Sequence, residues 1–170
     1  MNRDEILAAL WQLGELLTQD VEITVAGGAA LIVAFKIDRG TADVDAVEAV
    51  PRVDQEFRQA VQETAELLEL NKHWLNDSAK GFADVLAPDF RKRRLHVGNF
   101  NRLRVYSLGR RDLILMKLFA MRAQDLEDLG LLAPSKEEIG FVRENLERLG
   151  RIRADQALRI RLYLEQGEGK

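Results

Sequence analysis

Two aspartates one residue apart, Asp43 and Asp45, are the residues whose types and spacing most directly indicate chemistry. They fall in a predicted strand over residues 41–47, where alternate side chains point to one face, so both carboxylates point the same way. Such carboxylates repel each other unless a cation lies between them, and Mg²⁺ typically binds one or two carboxylates together with substrate phosphates. Upstream, Gly27 and Gly28 form a predicted turn whose backbone amides can approach a phosphate. The spacing therefore predicts a metal and phosphate site.

A second group of polar residues follows near the middle of the chain. If residues 110–132 form one helix, which we expect to break near Gly130, then Lys117, Asp125 and Asp128 share one stripe of its surface. The alternative is a surface helix on which these side chains are merely solvated.

The first group resembles a known fold family. A Gly-Gly turn followed by Ala42-Asp43-Val44-Asp45 resembles the nucleotidyltransferase fold of the DNA polymerase beta type. The longer pattern from Arg39 through Thr41 to Asp45 is similar to minimal bacterial nucleotidyltransferases, including the AbiEii-type toxins and their uncharacterised relatives. The resemblance implies transfer of a nucleoside monophosphate from an NTP to an unknown acceptor, with Mg²⁺ or Mn²⁺ bound by Asp43 and Asp45, which are also catalytic. It implies nucleotide contacts from Gly27, Gly28, Arg39 and Thr41.

The second group resembles the C-terminal motifs of AbiEii-type enzymes. Met116-Lys117-Leu-Phe-Ala120 is similar to hydrophobic-Lys-x-x-Ala, and Arg122 to Asp128 is similar to Arg-x-Lys-Asp-x-x-Asp, with Gln124 in place of the lysine. The resemblance implies that Lys117 contacts the triphosphate and that Asp125 orients it or assists catalysis. The segment Trp74–Phe82 resembles a loop of the uncharacterised relatives, and its Asn76, Asp77 and Lys80 are candidates to line the nucleotide site.

One departure favours an alternative function. Many polymerase-beta-type enzymes carry a third acidic residue on a later strand, and the predicted strand over residues 103–108 has none. Either Asp125 or Asp128 takes the place of this third acid, or one metal ion is enough for the transfer. The alternative is a catalytically inactive protein of this fold that binds nucleotide as a regulator or partner protein. A toxin–antitoxin role follows from the family analogy alone.

The charge distribution points to an anionic partner. The chain has a net charge of −3, yet residues 90–111 contain eight Lys or Arg and no acid. A basic hairpin of this kind can hold an RNA acceptor through its phosphates. The alternative is that these arginines project from an exposed hairpin and pair with surrounding acids. The residues proposed for RNA contact are Arg91, Lys92, Arg93, Arg94, Arg102 and Arg104.

The element order predicts an α+β fold with a small mixed sheet. We expect a nucleotidyltransferase-like core over residues 1–108, flanked by helices, and a helical C-terminal part over residues 109–170 packed on it. The chain has no cysteine, and its longest apolar run, residues 29–35, is far below the roughly 20 residues that span a bilayer. No membrane partner is therefore expected, and the acidic N-terminal residues are unlike a signal peptide, so the expected location is the cytoplasm.

Overall fold

The computed structural model describes residues 1–168 and divides into two compact units. The sheet unit comprises residues 1–83 and 91–108, and the helical unit comprises residues 84–90 and the chain from Gly109 onward. No helix within the described residues combines the length and the hydropathy needed to cross a membrane.

The sheet unit contains a five-stranded mixed sheet in the order β3-β2-β1-β5-β4. Strand β1 pairs antiparallel with β2 and parallel with β5, β2 pairs parallel with β3, and β4 pairs antiparallel with β5. This architecture confirms the predicted α+β fold with a mixed sheet and a helical C-terminal part. The elements of the unit are α1 (Arg3–Leu16), β1 (Val21–Ala26), α2 (Gly27–Val33), β2 (Val44–Val50), α3 (Gln55–Leu67), β3 (Leu75–Asn76), a 3₁₀ turn (Ser78–Phe82), β4 (Leu95–Phe100) and β5 (Leu103–Ser107).

The two faces of the sheet differ in chemistry because β1 alternates. Val21, Ile23 and Val25 are buried on one face, and Glu22 and Thr24 lie on the other. Phe57 of α3 lines one cavity with Ile23 and another with Val21, so α3 lies on the apolar side of the sheet. The opposite face carries the polar residues that surround the candidate site.

Helices α1 and α3 begin where the sequence supplies side-chain caps. Asn2 accepts a hydrogen bond from the Glu5 N–H at 3.0 Å, and the Glu5 carboxylate accepts one from the Asn2 N–H at 2.8 Å. Asp54 accepts from the Phe57 N–H at 2.8 Å. These bonds satisfy amides that a helix start leaves without partners, so both helix starts are well determined.

The strand carrying the two aspartates begins later than predicted. The alternating pattern predicts a strand over residues 41–47, but β2 covers Val44–Val50. Asp45 therefore lies within the strand and Asp43 directly before it. Residues ahead of the strand are held by other bonds: the Thr41 hydroxyl donates to the Asp43 carbonyl at 3.0 Å, and the Thr41 N–H donates to the Met1 carbonyl at 3.0 Å. These local bonds replace strand pairing, which the alternating pattern could not show.

The helical unit contains α4 (Arg110–Ala120), α5 (Ala123–Leu132), α6 (Lys136–Ile152) and α7 (Ala154–Glu168). The prediction of one helix over residues 110–132 that breaks near Gly130 is wrong. The chain breaks at Met121, whose φ of 49° is left-handed, and α5 then continues through Gly130 to Leu132. The sequence Ser135-Lys-Glu-Glu138 predicts a capping box at the start of α6. The structure confirms it, since Glu138 N–H donates to Ser135 Oγ at 3.2 Å and Ser135 N–H donates to Glu138 Oε2 at 2.8 Å.

Candidate active site

The turn between β1 and α2 requires glycine at its first position. Gly27 has a φ of 60°, in the left-handed region that side chains rarely adopt. A Cβ atom on Gly27 would lie 2.9 Å from the Oδ2 atom of Asp45. The absent side chain therefore allows the Asp45 carboxylate to lie directly against the backbone of the turn.

The second glycine of the turn accommodates two other side chains. A Cβ atom on Gly28 would lie 2.8 Å from the Thr41 hydroxyl oxygen and 3.6 Å from the Arg39 Cζ atom. The Arg39 Nε atom also donates to the Gly40 carbonyl at 3.0 Å. The structure thus brings together five residues of the sequence pattern, which are Gly27, Gly28, Arg39, Thr41 and Asp45.

Asp43 is fixed by a residue of the neighbouring strand. Its Oδ2 atom accepts a hydrogen bond from Asn76 Nδ2 at 2.9 Å, and Asn76 Oδ1 accepts one from the Ser78 N–H at 2.9 Å. Asn76 is also the β3 partner of Asp45 in the strand register. One asparagine therefore contacts the first carboxylate through its side chain and pairs with the second through its strand.

Asp45 lies in the interior of the sheet between two strands. Its register partners are Ala26 on β1, the residue directly before the Gly27 turn, and Asn76 on β3. The side chains of Asp43 and Asp45 are both partly exposed. Both acids are thus accessible at the end of β1 where the glycine turn begins, and this is the place where a ligand phosphate could approach the turn.

The donor chemistry of this site fits Mg²⁺. Two partly exposed carboxylates beside a glycine turn match the one or two carboxylates that Mg²⁺ takes when substrate phosphates complete its coordination. Within residues 1–168, no cluster of three or more His, Cys, Asp or Glu side chains could hold a metal ion by itself. The β5 side chains that share the face of Glu22 and Thr24 are Arg104 and Tyr106, so neither is the third acid.

The basic segment, residues 90–111, forms ion pairs with acids on one face of the sheet. Arg94 Nη1 lies 2.7 Å from Glu22 Oε1 and 3.2 Å from Glu48 Oε1, and it donates to Thr24 Oγ1 at 2.9 Å. Arg94 also lies over the ring of Tyr106, 4.3 Å from its centroid. This network leaves the Arg94 side chain only 14% exposed.

The other arginines of the segment show the same pattern to different degrees. Arg91 donates to both oxygens of Glu48, with a shortest distance of 2.7 Å, and this hydrogen bond raises the pKa of the Arg91 guanidinium. Arg102 and Arg104 lie 3.9 Å from Asp20 and Glu22. The alternative in which these arginines pair with nearby acids therefore describes Arg91 and Arg94 and, at longer distance, Arg102 and Arg104. Lys92 is exposed.

In the helical unit, the structure brings Lys117, Asp125 and Asp128 into contact. The Lys117 ammonium lies 2.6 Å from Asp128 Oδ2 and 3.3 Å from Asp125 Oδ1, and the three residues are 2–6% exposed. Asp125 Oδ2 also accepts from the N–H and the Nε of Arg122, at 3.2 Å and 2.9 Å. The contact arises because the turn at Met121 folds α5 back towards α4, and it does not come from one continuous helical stripe.

The residues of the loop over 74–82 divide into two groups. Trp74 is fully buried and donates its indole N–H to the Val61 carbonyl at 3.0 Å, which anchors the segment. Asn76 reaches Asp43, whereas Lys80 is exposed on the 3₁₀ turn and Asp77 is exposed before it. Asn76 was only one of three candidates in this loop, and its two-residue strand offers no periodic signal that would have singled it out.

The fold and the paired aspartates define a nucleotidyltransferase-like class of protein. The family described as "Nucleotidyltransferase of unknown function (DUF6036)" matches residues 5–136, which include both carboxylates, the glycine turn and the Lys117 cluster. The chain belongs to this family. No curated protein and no solved structure matches it significantly.

Proposed function

We propose that this protein transfers a nucleoside monophosphate from an NTP to a hydroxyl group of an acceptor, in a reaction that depends on Mg²⁺ or Mn²⁺. The observation that carries this proposal is the packing of the Asp45 carboxylate against Gly27, with Asp43 held beside it by Asn76. A glycine turn can face phosphate, and two carboxylates can hold the cation on which such a transfer depends.

In the proposed reaction, the acceptor oxygen forms a bond to the α-phosphorus. The bond between that phosphorus and the oxygen that bridges it to the β-phosphate breaks, and pyrophosphate leaves. The hydroxyl proton passes to solvent or to a carboxylate. When bound, the metal ion neutralises phosphate charge and lowers the pKa of the attacking hydroxyl. Asp43 and Asp45 hold the ion, and the amides of Gly27 and Gly28 face the phosphates.

We include Lys117 and Asp125 in the proposal on the strength of their AbiEii-type motif. Lys117 would contact the triphosphate and Asp125 would orient the lysine. Their direct contact at 3.3 Å supports the orienting role. Lys80 and the Arg39–Thr41 pair are proposed as further nucleotide contacts.

The acceptor is proposed to be RNA or protein. Lys92 and its neighbours supply positive charge for RNA phosphates, although Arg91 and Arg94 already pair with Glu48. A role in a toxin–antitoxin system is proposed only by analogy with AbiEii-type proteins.

A labelling experiment tests transfer directly. The protein is incubated with each of the four NTPs labelled at the α-phosphate, with Mg²⁺ or Mn²⁺, and with total RNA or a protein extract. We expect label on one acceptor class, and a loss of about 100-fold in Asp43→Asn and Asp45→Asn. Asp38→Asn is the matched control, because it removes the same charge from an exposed residue of the same connection.

A second candidate is nucleotide binding without transfer. It is favoured by the absence of a three-acid cluster among the described residues. Under this alternative, an NTP binds in the presence of Mg²⁺ and Asp45→Asn weakens that binding, yet no acceptor becomes labelled. If no acceptor becomes labelled and Asp45→Asn leaves NTP binding unchanged, both candidates are overturned.

A further inference from the structure

A cavity in the sheet unit lies outside the residues assigned to the proposed transfer, apart from Asn76, which borders it. It has a volume of about 550 Å³ and lies between α3, β2 and the segment leading into β3. Pockets of this size are typical of sites for small organic ligands. The cavity lies across the sheet from Asp45, because Asp45 and Ala46 are successive residues of β2 and point to opposite faces.

The inner walls of the cavity are apolar. They are formed by Ile23, Ala46, Phe57, Val61 and Leu75, each at most 8% exposed. Such walls favour a hydrocarbon or aromatic group, since burying apolar surface is the main favourable contribution in pockets of this kind.

The rim of the cavity is cationic. It carries two cations, Arg58 and Lys72, against one acid, Asp77, and His73 lies beside them. Arg58 and Lys72 are exposed, and no ion pair or side-chain hydrogen bond is described for either within residues 1–168. Arg94 of the same unit is in contrast fully engaged with Glu22 and Glu48, so the two rim cations stand out as available for an external anion.

We propose that this cavity binds a small amphipathic anion, with an apolar body against Phe57 and Val61 and a carboxylate or phosphate beside Arg58 and Lys72. The charge of the rim decides the sign of the ligand, and the apolar walls decide its body. This site is distinct from the one that the carboxylates form, because Ala46 and Asp45 point to opposite faces of the sheet, although Asn76 borders both.

The test uses phenylbutyrate and its uncharged counterpart phenylbutanol as probes. Each probe is titrated into the ¹⁵N-labelled full chain, and binding is measured from the NMR shifts of the backbone amides. We expect phenylbutyrate to bind with a Kd in about the millimolar range, as suits a fragment of this size. The shifted amides should cluster in α3, β2 and residues 72–77, and phenylbutanol should bind several-fold more weakly.

Three variants locate the site. Ala49→Leu places a larger side chain in the cavity, at a half-buried position that tolerates it, and should weaken phenylbutyrate binding about ten-fold. Arg58→Gln and Lys72→Gln should each weaken it about two- to five-fold, the range of an exposed charge pair. Lys136→Gln removes an exposed cation that does not line the cavity and should leave phenylbutyrate binding unchanged.

Three results would overturn the proposal. They are equal binding of acid and alcohol, binding unaffected by Ala49→Leu, and a concentration-dependent dimer that Ala49→Leu disrupts while phenylbutyrate does not bind. The last would show that a second copy of the chain covers the cavity. The labelling experiment tests transfer alone, so a negative result there would not change the expected binding of phenylbutyrate to the cavity.

Discussion

Replacement of Gly27 by alanine tests the geometry of the candidate site most sharply. At a φ of 60°, alanine costs about 1–2 kcal/mol relative to glycine. The new Cβ would also lie 2.9 Å from Asp45 Oδ2, so the carboxylate must move away from the turn. We expect a loss of about 2 kcal/mol in the free energy of unfolding, and weaker binding of Mn²⁺ because Asp45 no longer holds its position beside Asp43.

The measurement combines urea denaturation with Mn²⁺ titration followed by water-proton relaxation. Gly40→Ala is the matched control, since a Cβ atom there meets nothing within 4 Å and its backbone is not strained by positive φ. It should leave both stability and Mn²⁺ affinity close to those of the unsubstituted protein. A Gly27→Ala protein with unchanged stability and unchanged Mn²⁺ affinity would refute the reasoning about the turn.

Three further predictions concern side chains at and away from the site. Asn76→Ala removes the 2.9 Å hydrogen bond to Asp43 and should lower Mn²⁺ affinity about ten-fold, measured calorimetrically; an unchanged affinity would contradict its positioning role. Burial alone would raise the pKa of Glu138, but hydrogen bonds from Ser135 and Arg110 outweigh it and lower that pKa. The Glu138 carboxylate should therefore stabilise the fold above about pH 4.3, and this stabilisation should be lost as the pH falls through the lowered pKa. Glu138→Gln should reduce the slope of the free energy of unfolding against pH in this acid range. An identical slope in the two proteins would contradict this prediction. Lys117→Met should destabilise the protein by about 3–5 kcal/mol in urea, because it strands two buried carboxylates, and Lys117→Met with Asp128→Leu should recover part of that loss; a single variant as stable as the unsubstituted protein would contradict it.

The parts of the fold and site that the sequence predicted correctly depend on short-range chemistry. The Gly27-Gly28 turn follows from residues that tolerate a left-handed backbone, and the Ser135–Glu138 capping box follows from a four-residue pattern. The mixed sheet followed from the order of β-branched and helical segments. For the turn, the cap and each separate strand or helix, the determining residues lie within a few positions of one another, where propensity and capping rules apply.

What the sequence could not predict depends on contacts between distant positions. Asn76 is 33 positions from Asp43, and its strand of two residues is too short to show an alternating pattern. The break at Met121 has no glycine or proline to mark it, because a methionine adopts the left-handed conformation there. Lys117 therefore meets Asp125 and Asp128 through a turn between two helices, whereas the periodicity suggested one stripe.

Glu48 sharpens the question of a third acid. It shares the sheet face of Asp45, because their β1 partners, Thr24 and Ala26, are two residues apart on one strand. Glu48 nevertheless accepts hydrogen bonds from Arg91 and Arg94, and its side chain is only 14% exposed. Recruiting it as a metal ligand would break a partly buried ion-pair network, which costs several kcal/mol when a charge loses its partners. The arrangement therefore favours a metal held by Asp43 and Asp45 with substrate phosphates completing its coordination. Two changes in Mn²⁺ affinity can therefore be compared. The increase on adding NTP should be larger than the decrease in a Glu48→Gln variant.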